Sequence, residues 1–110
     1  MKDATIWIPQ EPMRKLDGEW VRKEIDIASA SEFGQIQVIW PPDAPILTQG
    51  VVAADAMRVA RSYDQTRDYI IALGSPSLIA MLGWALGKYN KQLRMLEWSK
   101  QARRYYPTVT

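Results

Sequence analysis

Two apolar runs lie side by side in this chain and set its organisation. Tyr69 to Leu73 reads Tyr-Ile-Ile-Ala-Leu without polar alternation, and Pro76 to Lys88 is apolar on nearly every side through Leu78, Ile79, Met81, Leu82, Trp84 and Leu86. The short run suits a strand covered on both faces, as in parallel sheets. The longer one suits a helix held in a core or partly in a subunit contact. Between them Gly74 can take backbone conformations closed to other residues, Ser75 can cap a helix, and Pro76 fits the first helical position. The pattern predicts a strand, a tight turn and a helix. Tyr69 to Gly87 is also 19 residues without a formal charge, but the Gly-Ser-Pro-Ser break leaves two pieces too short to cross a bilayer as helix.

The other elements are read from the same patterns. Ala4 to Ile8 predicts a first strand through Thr5, Ile6, Trp7 and Ile8, with Pro9 and Pro12 confining the next residues to an edge or a loop. Met13 to Gly18 reads as a connection ending in an Asp17-Gly18 turn. Glu19 to Ile27 alternates and is expected to pair with the first strand at the antiparallel margin of the sheet. Ala28 to Phe33 predicts a helical turn closed by Gly34, and Gln35 to Trp40 a central strand stopped by the Pro41–Pro45 loop. Val52, Ala56, Val59, Ala60 and Tyr63 form one stripe of a helix over Thr48 to Tyr63, with Thr48 as its cap. Gln92 to Trp98 predicts a third central strand, followed by a loop and an antiparallel return over Arg103 to Val109 with Pro107 at an edge. Strand, helix, strand, helix, strand argues for parallel pairing with right-handed crossovers. The fold class is thus α/β: a small Rossmann-like three-layer domain, residues 1–110, with parallel central strands, two crossover helices and an antiparallel C-terminal hairpin.

Composition removes several kinds of chemistry. The chain has no cysteine and no histidine, so there is no disulfide framework, thiolate nucleophile or imidazole base, and the commonest metal ligand is missing. Asp17, Glu19, Glu24 and Asp26 could assemble paired carboxylates, but on a charged edge strand their commoner use is solubility and edge protection. The expectation is a non-enzymatic protein with no catalytic residue, cofactor or metal. The first residues lack the long apolar core of a signal peptide, which points to the cytoplasm.

Charge changes the picture more than composition does. Residues 1–46 carry five Lys/Arg against eight Asp/Glu, whereas residues 88–110 carry six basic groups against Glu97 alone. Lys88, Lys91, Arg94, Lys100, Arg103 and Arg104 interleave with Tyr89, Trp98, Tyr105 and Tyr106. Cations attract phosphates and aromatic faces stack on unpaired bases, so these cations with Tyr105 form a candidate nucleic-acid surface. The competing reading is a solvated sheet edge, or a dock for an acidic protein partner. Tyr105 and Tyr106 must face opposite ways in a strand, so at most one can join a common outer surface. A second candidate site is Gly74, Ser75 and Ser77, where helix N–H groups could hold a phosphate or nucleotide, although no dinucleotide or P-loop glycine pattern is present. Trp40 and Trp84 follow core patterns, and Trp7 and Trp20 sit on the expected edge pair. Five tryptophans, with Gly83 and Gly87 permitting close approach, point to a homo-oligomer.

Three segments, 28–42 (ASASEFGQIQVIWPP), 67–90 (RDYIIALGSPSLIAMLGWALGKYN) and 93–107 (LRMLEWSKQARRYYP), resemble small α/β proteins of unknown function encoded in tailed-bacteriophage genomes. Glu32-Phe33-Gly34, Gly74-Ser75-Pro76 and Glu97-Trp98 carry the likeness. Serine stands at 75 where an acidic residue is commoner, which loosens any fixed ligand role there. The resemblance implies a phage origin and the host cytoplasm, and it supplies no activity or site. The resulting expectation is a viral accessory protein that binds a protein partner, host or self, with nucleic-acid or small-ligand binding as alternatives.

Overall fold

The computed structural model describes residues 3–22, 26–42 and 50–110. The chain is mixed α/β. In order come strands β1 (Thr5–Gln10), β2 (Met13–Leu16) and β3 (Glu19–Arg22), a 3-10 helix at Ala28–Phe33, and β4 (Gln35–Trp40). Helix α1 (Val51–Ser62), β5 (Tyr69–Ile70), α2 (Pro76–Lys88), β6 (Arg94–Ser99) and β7 (Arg104–Val109) complete it. Five strands form one sheet in the order β4-β1-β5-β6-β7, parallel except for β7, which returns antiparallel on β6.

The strand order explains which face each connection covers. The chain steps from β1 to β4 on one side, then crosses back past β1 to β5 and on to β6. Connections of one hand change face when they change direction. The 3-10 helix accordingly sits on one face, where Ala30 is buried with Ile6, Ile8, Ile71, Leu96 and Tyr105. Both α1 and α2 pack on the other, where Val52, Val59, Leu78, Leu82 and Leu86 meet Trp40 and Ile70. The sheet is thus sandwiched, with a thick helical layer on one side and a thin one on the other.

Several expectations are corrected. β1 is interior, flanked by β4 and β5, and β4 is the outer strand. Pro9 is tolerated inside the sheet because the bonds from β5 pass around it. The Ile71 N–H donates to the Trp7 carbonyl at 3.1 Å, and the Gln10 N–H donates to the Leu73 carbonyl at 3.2 Å. Glu19–Arg22 does not join β1; it pairs with Met13–Leu16 in a separate two-stranded hairpin. Asp17 and Gly18, with φ of 51° and 82°, make a two-residue turn whose twist ties adjacent segments together, so the nearest chain wins the pairing. The helix described from Val51 has Gly50 at its N-cap, while Thr48 and the Asp43–Pro45 part of the proline loop lie outside the described residues. Trp84 is 46% exposed rather than in the core.

Other expectations hold. α2 spans Pro76–Lys88 with Pro76 in its first turn. Gly34 closes the 3-10 helix where a Cβ would lie 2.4 Å from the Ala4 carbonyl oxygen, the same oxygen that accepts the Gln35 N–H at 2.8 Å. Glycine here lets β4 start alongside β1. Among the described residues no helix is long and apolar enough to cross a membrane.

Candidate functional site

At the carboxyl ends of the strands, β1, β4 and β5 converge on one side chain that the sequence reading passed over. Gln10 is 8% exposed. Its Nε2 donates to the Pro41 and Pro42 carbonyls at 2.9 and 3.1 Å, and its Oε1 accepts the Ser75 N–H at 2.9 Å. Gly74, at φ 102°, passes so close that a Cβ would lie 2.4 Å from Gln10 Cβ. Both its conformation and its packing require glycine. In open α/β sheets this switch point, between β1 and β5, is where ligands settle. A groove of about 260 Å³ lies there, lined by Gln10, Pro12, Met13, Pro42, Gly74 and Ser75.

The first turn of α2 is largely engaged from within. Ser75 takes the N-cap position without a side-chain cap bond, and its carbonyl accepts the Leu78 and Ile79 N–H groups at 3.0 and 3.1 Å. Pro76 has no N–H to offer. An anion arriving at Gly74, Ser75 and Ser77 would therefore meet the Ser77 N–H and hydroxyl, and would compete with Gln10 for Ser75.

The β6–β7 hairpin carries its basic residues to two ends. Lys100, Arg103 and Arg104 cluster at its tip, exposed and with no ion pair among the described residues. Lys88 and Lys91 stand beyond the opposite end of β6, whose six residues span roughly 20 Å. Lys88 lies 5.7 Å from the centre of the Trp84 ring. Tyr105 is inside: its hydroxyl donates to the Asp26 carbonyl at 2.6 Å, its ring meets Trp98 edge-on at 5.0 Å, and burial pushes its pKa up. Tyr106 faces outward, 45% exposed, with its pKa raised by a hydrogen bond to the Glu97 carboxylate. Beside it β5 and β6 part, leaving a groove of about 370 Å³ lined by Ile71, Ala72, Leu73, Met95, Trp98 and Tyr106.

At the amino ends of the strands the charged groups hold the fold itself. Asp68, 1% exposed, accepts the Thr5 N–H at 2.9 Å, the Trp7 indole N–H at 3.1 Å and the Asp64 N–H at 2.9 Å. Lys91 Nζ donates to the Ala60, Arg61 and Tyr63 carbonyls at 2.6, 3.1 and 2.6 Å. It thereby caps the end of α1, where backbone acceptors have no intrahelical partner. Arg94 Nε donates to the Asp68 carbonyl at 3.2 Å, and its guanidinium lies 4.5 Å from the Tyr69 ring centre. The structure thus brings Lys100, Arg103 and Arg104 together and engages Lys91 and Arg94 elsewhere. A charged residue directly before a buried strand was the signal for Asp68; nothing in the local sequence marked Gln10.

A family model described as Phage Pam3 gp32-like protein matches residues 4–110. The chain belongs to that family and is a phage protein. No curated protein and no solved structure matches.

Proposed function

We propose that this phage protein acts in the host cytoplasm as a non-enzymatic accessory protein, a homo-oligomer that binds a protein partner through the β6–β7 hairpin. The observation that carries the reading is the groove at Leu73, Met95, Trp98 and Tyr106. Trp98 and Tyr106 are among its lining residues, 37% and 45% exposed, with their rings on opposite faces of the β6–β7 pair. Exposed aromatic side chains at a groove are the residues that dominate protein interfaces. The tip cations Lys100, Arg103 and Arg104 extend that surface and favour an acidic segment on the partner. The lack of histidine and cysteine supports binding without catalysis.

The test is capture from lysate of the infected host at moderate salt, comparing the wild type with Trp98→Ser/Tyr106→Ser. A specific protein retained by the wild type and lost by the double variant supports the reading. Equal recovery by both removes the hairpin from it.

The three uncommitted tip cations also favour a second reading, contact with single-stranded nucleic acid. Three phosphate contacts would give a salt slope of about −2 in log–log form. Retention on single-stranded DNA that falls with salt and fails after Arg103→Ala/Arg104→Ala supports it, and no retention at low salt ends it. The third expectation, a nucleotide at Gly74, Ser75 and Ser77, predicts a raised melting temperature with some member of a nucleotide panel, because a ligand selective for the folded state stabilises it.

A further inference from the structure

The two margins of the five-stranded sheet are built differently. β7 forms one margin and carries Pro107 in mid-strand, with Arg104 at its start. Proline and charge are devices that discourage pairing with another strand. β4 forms the other margin, and its six residues Gln-Ile-Gln-Val-Ile-Trp contain no charge, no proline and no glycine. Among the described residues no strand pairs with its outer side.

The direction of its backbone groups follows from one bond. The Gln35 N–H donates to the Ala4 carbonyl of the segment leading into β1, so Gln35 and Gln37 turn their peptide groups inward. Ile36 and Val38 turn theirs outward. Trp40 leaves this alternation: Ile36 and Val38 pack with the 3-10 helix side, whereas Trp40 is buried on the α1–α2 side. The regular outward groups are therefore the N–H and carbonyl of Ile36 and of Val38. One side-chain bond touches them, from Gln37 Nε2 to the Val38 carbonyl at a long 3.4 Å.

We propose that β4 pairs antiparallel with β4 of a second copy of this chain, about a two-fold axis at Gln37, joining the two sheets into one. In that register Ile36 of each copy faces Val38 of the other. The four outward groups of each copy are then satisfied by four backbone bonds between the copies, and the apolar pair lies on the same face in both copies. Gln37 meets Gln37 across the axis at a narrow pair, where opposed side chains come closest. The strand is neutral, so no like charges meet, and a two-fold seam closes at two copies. The proposal rests on the oligomeric part of the reading above and is independent of the hairpin groove.

Sedimentation across a concentration series tests it, with Gln37→Lys and Gln37→Glu as variants. Gln37 is exposed, so both are expected to fold as the wild type does. The wild type is expected to dimerise, and each variant alone to lose at least about tenfold in affinity at low salt, because two like charges then face each other. An equimolar mixture of the two variants is expected to recover the dimer. A monomeric wild type overturns both the seam and the oligomeric reading. A wild-type oligomer that neither variant weakens, or weakened variants that do not rescue each other, overturns the seam alone. Partner capture by Gln37→Lys at the wild-type level keeps the hairpin test separate.

Discussion

The amino and carboxyl ends of the parallel strands use their polar residues in opposite ways. At the amino ends Asp68, Lys91 and Arg94 point inward and satisfy backbone groups at the start of β1, at the end of α1 and just before β5. At the carboxyl ends a neutral side chain, Gln10, ties the β1, β4 and β5 loops, and the cations beyond β6 are left to solvent. A basic tract counted along the chain is therefore two populations. Where helix and strand ends supply unpaired carbonyls or N–H groups, a nearby charge is drawn into the fold. Where a tight hairpin pairs its own backbone, the charge stays available to a partner.

The contrast is open to direct attack, beginning with its strongest element. Asp68→Ala strips acceptors from three donors at the β1–β5 junction and is expected to cost about 3 kcal/mol or more, read by urea unfolding. A loss below about 1 kcal/mol would mean that water replaces the carboxylate and that the amino ends are not pinned by it. Gln10→Ala removes the corresponding tie at the other end and should cost about 2 kcal/mol. Should it cost nothing, the carboxyl-end loops do not depend on that amide. Lys91→Met keeps the stem and deletes the contacts to three carbonyls at the end of α1 and just beyond it, for an expected loss of about 1–2 kcal/mol.

At the hairpin tip, Arg104→Ala should change stability by no more than about 0.5 kcal/mol. A large loss there would dissolve the distinction between engaged and available cations. The smallest effect belongs to Asp64, whose carboxyl is held at about 2 against an ordinary 3.8, chiefly by the Thr66 hydroxyl and N–H. A depressed folded value contributes stability that is complete above the unfolded value and is lost as pH falls through the folded one. The contribution therefore disappears between about pH 4 and 2, and Asp64→Asn should flatten the stability–pH curve within that window. Wild-type and variant curves that run parallel there would show that the Thr66 contacts do not survive in solution.

Local stereochemistry was legible where one short segment decides the outcome. Pro76 in the first turn of α2, Asp17-Gly18 in a two-residue hairpin, Gly34 after the 3-10 helix, and Tyr105 and Tyr106 on opposite faces all depend on a few neighbouring residues. The partner of β1 was not legible, because Glu19–Arg22 and Gln35–Trp40 both read as acceptable strands and only the turn at Asp17-Gly18 claims the first. Trp84 was misplaced for a related reason: an apolar helix has no polar stripe to show which side faces out. Gln10 and Lys91 carry no local mark at all, since their roles depend on carbonyls 31 residues away in the chain, at Pro41 and Ala60.

The order and type of the main elements, the absence of thiol and imidazole chemistry, and the antiparallel return at the C-terminus were set by the amino-acid order alone. These depend on backbone preference and side-chain period within a few residues. The strand order, the burial of Tyr105 beside an exposed Tyr106 and Trp98, the closure by Gln10 and the division of the cations came only with the tertiary structure. Each is a choice among partners distant in sequence, decided by which buried donors and acceptors must be matched once the sheet has formed.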